Sequence, residues 1–421
     1  MDIFIIIALL ITLSAIYSYI NARMLNLPGT IGVLAVAITG SLLIITANQA
    51  APGLAKNLTS LARNIDFSES VLNIMLGFLL FATAFRVDTR RLRREMKPVM
   101  MLSTLSVLLS TAIFGLLFHF AAQFFDIRVP MIYCFLFGAL ISPTDPVAVE
   151  GIMKGSKLPR HLETVVSGES LLNDGVGLVL FVIISEIARA GAENIVFSEV
   201  LLVFLQEVFG GIALGIISGF IAFRLMRSIS DFQTIVLVSL ALVMADSVIA
   251  SVLHLSIPIA VVTAGLFAGS RSIDTDAKQH SHQSLEKFWE LIDEMLNTVL
   301  FSMIGLQMIN FPFIDNYWRT GCIAILMLLI ARWFSIVLPL TFLRRTLNIN
   351  YGSVNVLTWA GVRGGISIAL ALSLQIEARY KYLIIAATFF IVIFSVIFQG
   401  LTLKHLINYL YRKEQTSEST P

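Results

Sequence analysis

The chain has 421 residues, 57% hydrophobic and only 13% charged, with a mean hydropathy of +0.87. Soluble domains are about 45–50% apolar and about 25% charged. The composition therefore specifies an integral membrane protein, and its short loops exclude a soluble catalytic, nucleotide-binding or nucleic-acid-binding domain. The formal net charge of +2 says nothing about partners.

A helix needs about 20 apolar residues to cross a hydrocarbon core of roughly 30 Å. Such windows are predicted at 3–20, 28–48, 69–86, 98–123, 130–152, 164–188, 199–223, 232–254, 257–270, 288–309, 320–342, 353–376 and 382–409. The expected fold is an all-α polytopic membrane domain of about 13 helices, with residues 410–421 as a short tail. The first stretch, "IFIIIALLITLSAIYSYI", has no basic residues before it and no small-residue cleavage site after it, so it reads as helix 1 and not as a removable signal peptide. Of the 29 Lys and Arg residues, 20 fall in the tail or in loops after odd-numbered helices, and seven in loops after even-numbered ones. The positive-inside rule then places the N-terminus outside and the C-terminus in the cytoplasm. The largest basic cluster, "RVDTRRLRREMK" after helix 3, reads as a topology-setting loop in preference to a lipid-headgroup site. Cys134 and Cys322 lie in apolar segments, where cysteine acts as a small hydrophobe.

Ionisable residues at membrane depth cost at least about 2.5–3.5 kcal/mol each on insertion scales, and so mark functional sites by default. They are Asp145, Glu169, Asp174, Asp246, Arg332 and Arg363, with Glu150 nearer the cytoplasmic end of its span. Asp145 lies in "GALISPTDPVAVEG". Pro143 and Pro146 have no N–H, so the carbonyls of Ala139 and Ser142 lose their helical partners, and helix 5 is expected to break at Thr144 and Asp145. A lone proline would read as a simple kink. A charge between two prolines reads as an ion site, because transporters use freed carbonyls and half-helix ends to hold ions. A second break is expected in helix 12, in "WAGVRGGISIALALSL", where Gly361, Gly364 and Gly365 surround Arg363. Glycines alone would equally serve close helix packing. Two interrupted helices running in opposite directions, seven spans apart, are what an inverted-repeat transporter requires.

In helix 6, "SGESLLNDGVGLVLFVIIS" places Glu169 and Asn173 four residues apart, and likewise Ser170 and Asp174. At about 100° per residue the four side chains cover an arc of about 140°, one wet face that is expected to look at the helix 5 break. Asp174, Ser170, Thr144 and freed carbonyls would together form the all-oxygen shell that a small hard cation such as sodium requires. Glu169 needs a counter-charge, and either Arg332 or Arg363 could supply it. Asp145 can sit at the positive half-helix ends of the break. Asp174 is then left beside neutral Asn173 without a fixed partner. Burial in that state favours either a proton or a bound cation, so the two can compete for it. A carboxylate alternating between one monovalent cation and one proton describes an antiporter moving no net charge.

The segments "SPTDPVAV", "GESLLNDG", "FWELIDEMLNTVLFSMIGLQM", "ARWFSIV" and "GVRGGISIALALS", in this order, resemble the NhaP-type branch of the cation/proton antiporter 1 family, prokaryotic relatives of the animal sodium/proton exchangers, over roughly residues 25–410. The resemblance implies a thirteen-helix, usually homodimeric antiporter, and the short soluble tail leads us to expect a bacterial or archaeal inner membrane. The resemblance further implies a six-helix core drawn from about 98–188 and 288–376, a dimerisation domain from the remaining helices, and crossing breaks in helices 5 and 12. By similarity, Asp174 binds cation or proton, Thr144 and Ser170 help coordinate the ion, and Asp145 contributes through water or electrostatics. Asn173 organises the site and marks the electroneutral type, Glu169 pairs with Arg332, and Arg363 balances the helix 12 break. The cargo is sodium, lithium or potassium together with a proton, with no cofactor. Some archaeal relatives carry an acidic residue in helix 3 where this chain has Ala82, which removes a water-mediated ion contact.

Lesser candidates take plainer readings. Asp246 in "VMADSVIAS" suits a capped or paired structural carboxylate better than the ion pathway. His280 and His282 in "DTDAKQHSHQSLEK" suit a solvated loop better than a pH sensor. Asn57 in "NLTS" is an external glycosylation acceptor sequon. Three competing functions are each weaker. A serine hydrolase using Ser170 and His254 would need a strained nucleophile turn that is not visible. A passive cation channel would need no titrating carboxylate, and a proton-coupled symporter would need a pocket for an organic solute.

Overall fold

The computed structural model describes residues 3–50, 67–124, 128–145, 149, 151, 153, 156–190, 197–270, 276–310, 314–347 and 351–417. Among these every regular element is helical. The principal helices are α1 (Ile3–Ile20), α2 (Gly29–Ala50), α3 (Phe67–Arg86), α4 (Met96–Phe124), α5 (Met131–Ile141), α6 (Arg160–Ala190) and α7 (Phe197–Ser228). They continue with α8 (Phe232–Val252), α9 (Ile257–Ser270), α10 (Asp276–Gln307), α11 (Ile314–Leu347), α12 in two halves (Tyr351–Trp359 and Gly365–Ser373) and α13 (Ala378–Tyr411). Nine helices among the described residues are long and apolar enough to cross a bilayer, and Met131–Ile141 and Ile257–Gly269 are shorter apolar ones. The protein is a multi-pass membrane protein, as its composition requires.

Each predicted span falls on a helix, with two departures in the boundaries. The segment holding His280 and His282, expected as a loop, is helical from Asp276 onward. A helix satisfies its own backbone, so α10 can run beyond its apolar window before it ends. Within the helix 5 span, α5 ends at Ile141, ahead of Pro143, residues 142–145 are non-helical, and the described residues 149 and 151 are helical. Pro146, Glu150 and Asn57 lie outside the described residues.

Local chemistry sets several ends. Asp88 caps the short basic helix Thr89–Arg94, accepting from the N–H groups of Arg90 (3.0 Å) and Arg91 (3.2 Å). Asp231 caps α8 through the N–H (2.8 Å) and hydroxyl (2.6 Å) of Thr234. Between α8 and α9 the chain turns at His254, whose φ of 52° closes the helix end in the left-handed region.

Two packed regions result. α4, α5, α6, α11, α12 and α13 surround the interrupted segments, and the main core runs through them. α7, α8 and α9 pack against one another and onto α3, where Trp289 of α10 is fully buried against Phe81 at 4.6 Å between ring centroids. α7 is the outlier. Only 11% of its apolar window is buried, against 72% for α13, so its Leu, Ile and Phe side chains face lipid or another protein.

Candidate ion-binding site

The site is built where two non-helical stretches, one after α5 and one within α12, meet. α5 ends at Ile141, the first half of α12 ends at Trp359, and the non-helical residues 142–145 and 360–364 meet back to back. The Asp145 N–H donates to the Val362 carbonyl at 2.8 Å, a backbone bond between the two interruptions. Carbonyls left without helical donors past the end of α5 are taken up by a side chain: the Arg363 guanidinium donates to the carbonyl of Ser142, and to that of Pro143 at 2.8 Å. Arg363 was expected to balance the helix 12 break. Its guanidinium addresses the carbonyl end of α5, where the helix dipole is negative. Asp145 makes the reciprocal placement. Its carboxylate lies on the Cα of Gly364, the residue preceding the second half of α12, so closely that any Cβ there would overlap it. Gly364 has an ordinary extended backbone (φ −115°), so the requirement is space and not conformation.

Helix α13 holds the second interruption from behind. Ser395 accepts from the Arg363 N–H at 3.1 Å and donates to Gln399, whose amide donates in turn to the Trp359 carbonyl at 3.4 Å. Both residues lie in the widened turn Phe394–Gln399, which brings them to opposite ends of the break.

The polar face of α6 docks onto this junction. The hydroxyls of Thr144 and Ser170 are 2.9 Å apart, and the Asn173 amide donates to Thr144 at 2.7 Å. Pro143 packs against Gly177, one turn further along α6. Glu169 pairs with Arg332 of α11, and both side chains are only 2% exposed. Arg363, the other partner the residues left open, bonds to the Ser142 and Pro143 carbonyls. Asp174 is buried and forms no hydrogen bond or ion pair among the described residues. With Thr144, Asp145, Asn297, Thr83 and Ser367 it lines a cavity of about 30 Å³, room for a water-sized occupant or two. Asp145, Glu169 and Asp174 against Arg332 and Arg363 leave the ionised site one negative charge in excess.

The remaining sequence candidates lie elsewhere. Asp246 is buried in α8 and accepts from Ser218 of α7 at 3.0 Å, outside the cavity. Ala82 packs in the cluster around Phe81 and Trp289, and its neighbour Thr83 is the polar α3 residue that lines the cavity, beside Leu79 and Leu80. Cys134 and Cys322 are both free.

Residues 7–409 match the family described as sodium/hydrogen exchanger, transmembrane. The chain belongs to this family. The exchanger is 38% identical to the Na(+)/H(+) antiporter NhaP of Pseudomonas aeruginosa, over 98% of both chains. It is 30% identical to the Na(+)/H(+) antiporter NhaH of Halobacillus aidingensis, over 97% of this chain and 98% of that one. Its fold matches the solved structure of the sodium proton antiporter MjNhaP1 from Methanocaldococcus jannaschii with a TM-score of 0.75 at 20% identity, covering 97% and 99% of the two chains. The resemblance carried by the five sequence segments is borne out.

Several residues of the exchanger's site escaped the sequence reading. Asp293 and Asn297 of α10 lie in the quoted segment "FWELIDEMLNTVLFSMIGLQM", four residues apart like Glu169 and Asn173. That spacing was a usable signal. Thr83, Ser367, Ser395 and Gln399 have no comparable signature, because a lone hydroxyl or amide in a membrane helix most often bonds locally.

Proposed function

We propose that this exchanger is a secondary active antiporter that trades one monovalent cation, sodium foremost and lithium or potassium as alternatives, against one proton at Asp174. The observation that carries the reading is Asp174 itself, a buried carboxylate that lines a cavity of about 30 Å³ and has no hydrogen-bond or ion-pair partner among the described residues. It is the one acid of the site not already matched to an arginine or a half-helix end. A single cation or a single proton cancels the excess charge, so either occupant gives a neutral site that can be carried across the bilayer, whereas the empty charged site is costly to move. That asymmetry is the coupling: the loaded states cross, and the unloaded state does not.

In this reading Thr144 and Ser170 offer hydroxyl oxygens to the cation, and Asn173 orients Thr144 by donating to it. Asp145 and Arg363 fix the two interrupted helices to each other, and the Glu169–Arg332 pair fixes α6 to α11. The six-helix core drawn from about 98–188 and 288–376 moves against the remaining helices, among which α7 presents the exposed apolar face that suits a homodimer contact. The N-terminus lies outside and the C-terminus in the cytoplasm of a cell membrane.

The test uses proteoliposomes holding a pH-sensitive dye and a preset proton gradient. Adding sodium or lithium should dissipate the gradient in wild type, with the membrane potential clamped by valinomycin and potassium, and should do nothing in Asp174→Asn. A sodium response that survives in Asp174→Asn would remove Asp174 from the mechanism. A response abolished by the clamp would remove electroneutrality.

A further inference from the structure

The oxygens assigned to the cation so far come from the interrupted segment after α5 and the face of α6. α3 and α10 line the cavity as well. Of their lining residues Leu79, Leu80 and Leu300 are apolar, so Thr83 and Asn297 are the side chains of these helices able to meet an ion. Asn297 is 2% exposed, and its amide nitrogen donates twice to Asp293, to the backbone carbonyl and to the carboxylate, both at 2.8 Å. Both partners are acceptors only. The NH₂ end of the amide must face them, so the amide orientation is dictated by chemistry and the oxygen is the end left for the cavity. Asp293 is itself held by the Arg86 guanidinium, whose Nε donates to the Ala82 carbonyl at 3.1 Å. A continuous set of bonds therefore runs from the α3 backbone through Arg86 and Asp293 to Asn297.

We infer that Asn297 supplies a neutral oxygen ligand to the transported cation from the α10 side, and that Arg86 and Asp293 are positioning residues that aim it. The inference rests on the antiport reading above and extends its ligand set to α10. The Arg86 and Asp293 charges cancel each other, so this cluster contributes an oxygen without adding a second carboxylate that could take a proton. It raises cation affinity while leaving the one-charge bookkeeping at Asp174 intact. Because Asn297 stands on α10 and the other ligands on α6 and the segment after α5, the distance between these elements sets the size of the shell, and hence which alkali cation fills it best.

The experiment measures apparent KM and maximal rate for sodium and for lithium in proteoliposomes, together with sodium-dependent thermal stabilisation of the purified protein. Contacts to a charged group make a difference of about tenfold in binding. Asn297→Ala is therefore expected to raise the sodium KM about tenfold and shift the stabilisation midpoint equally, with the maximal rate changed less than about twofold and the sodium-to-lithium KM ratio altered. Asn297→Ser, which keeps an oxygen on a shorter side chain, should fall between the two. Asp293→Asn should raise the KM in wild-type background but add nothing on top of Asn297→Ala, as expected of residues acting through one ligand. Unchanged KM and midpoint in Asn297→Ala, or a lower maximal rate alone, would overturn the inference and leave the cluster as a clasp between α3 and α10. Absence of any sodium response in wild type would instead overturn the antiport reading beneath it.

Discussion

Glu169 and Arg332 provide the sharpest stability test. Each side chain is 2% exposed, so neither charge can turn to water when its partner is removed. Breaking a buried pair from one side costs about 3–5 kcal/mol, whereas replacing both members by neutral groups is often close to neutral. Glu169→Gln and Arg332→Met are each expected to lose about 3–5 kcal/mol, and the double variant no more than either single. The interaction energy across the cycle is then about 3 kcal/mol or larger, well beyond the roughly 0.5 kcal/mol within which independent sites add. Equilibrium unfolding in mixed micelles of mild detergent and SDS, followed by helical ellipticity, measures all four corners. The same cycle between Glu169→Gln and Arg363→Met should show weaker coupling, because Arg363 is bonded to the carbonyls of Ser142 and Pro143. Additive losses for the Glu169 and Arg332 variants, or stronger coupling to Arg363, would refute the assignment of the pair.

Further outcomes follow from other parts of the fold. Gly364→Ala drives a methyl group into the Asp145 carboxylate; overpacking of this kind costs about 1–3 kcal/mol, and the exchange rate in proteoliposomes should fall while expression persists. Ser395→Ala removes the acceptor of the buried Arg363 N–H, which costs about 1–3 kcal/mol and should appear as a lower unfolding midpoint, with Ser395→Thr largely restoring it. Trp289→Ala empties the centre of the cluster formed with Phe78 and Phe81 and is expected to cost about 3–5 kcal/mol by the same unfolding assay. Asp231 is held below the ordinary carboxylate value of 3.8 by its bonds from the Thr234 hydroxyl and N–H. A carboxylate with a lowered folded value stabilises above its unfolded value and loses that contribution as the pH falls through the folded one. The melting temperature of Asp231→Ala should therefore lie below wild type at neutral pH, and the gap should close in acid. A gap that persists unchanged in acid would show that the cap does not depend on the charge.

The bilayer makes much of this protein legible in one dimension. A spanning helix must satisfy its own backbone and present apolar side chains, so the windows along the chain coincide with helices from α1 to α13, and every departure from apolarity stands out. Pro143, Asp145, Glu169, Asn173, Asp174 and Arg363 were identified on that ground alone, and the four-residue spacing in α6 specified a single polar face. Partner choice was not legible in that way. Whether Glu169 meets Arg332 or Arg363 depends on which helices lie side by side, and both arginines satisfy the same one-dimensional rule. The direction of Arg363, toward α5 and away from its own helix, follows from the meeting of the two interruptions and from the backbone bond between Asp145 and Val362. The roles of Ser395 and Gln399 depend on a widened turn in α13, and that of Asn297 on a cavity wall contributed by α10. Composition and periodicity report what each segment pays to leave water. Only the packed structure decides which hydroxyl, amide or guanidinium meets which, because hydrogen bonds are short and directional while the hydrophobic pattern that places the helices is neither.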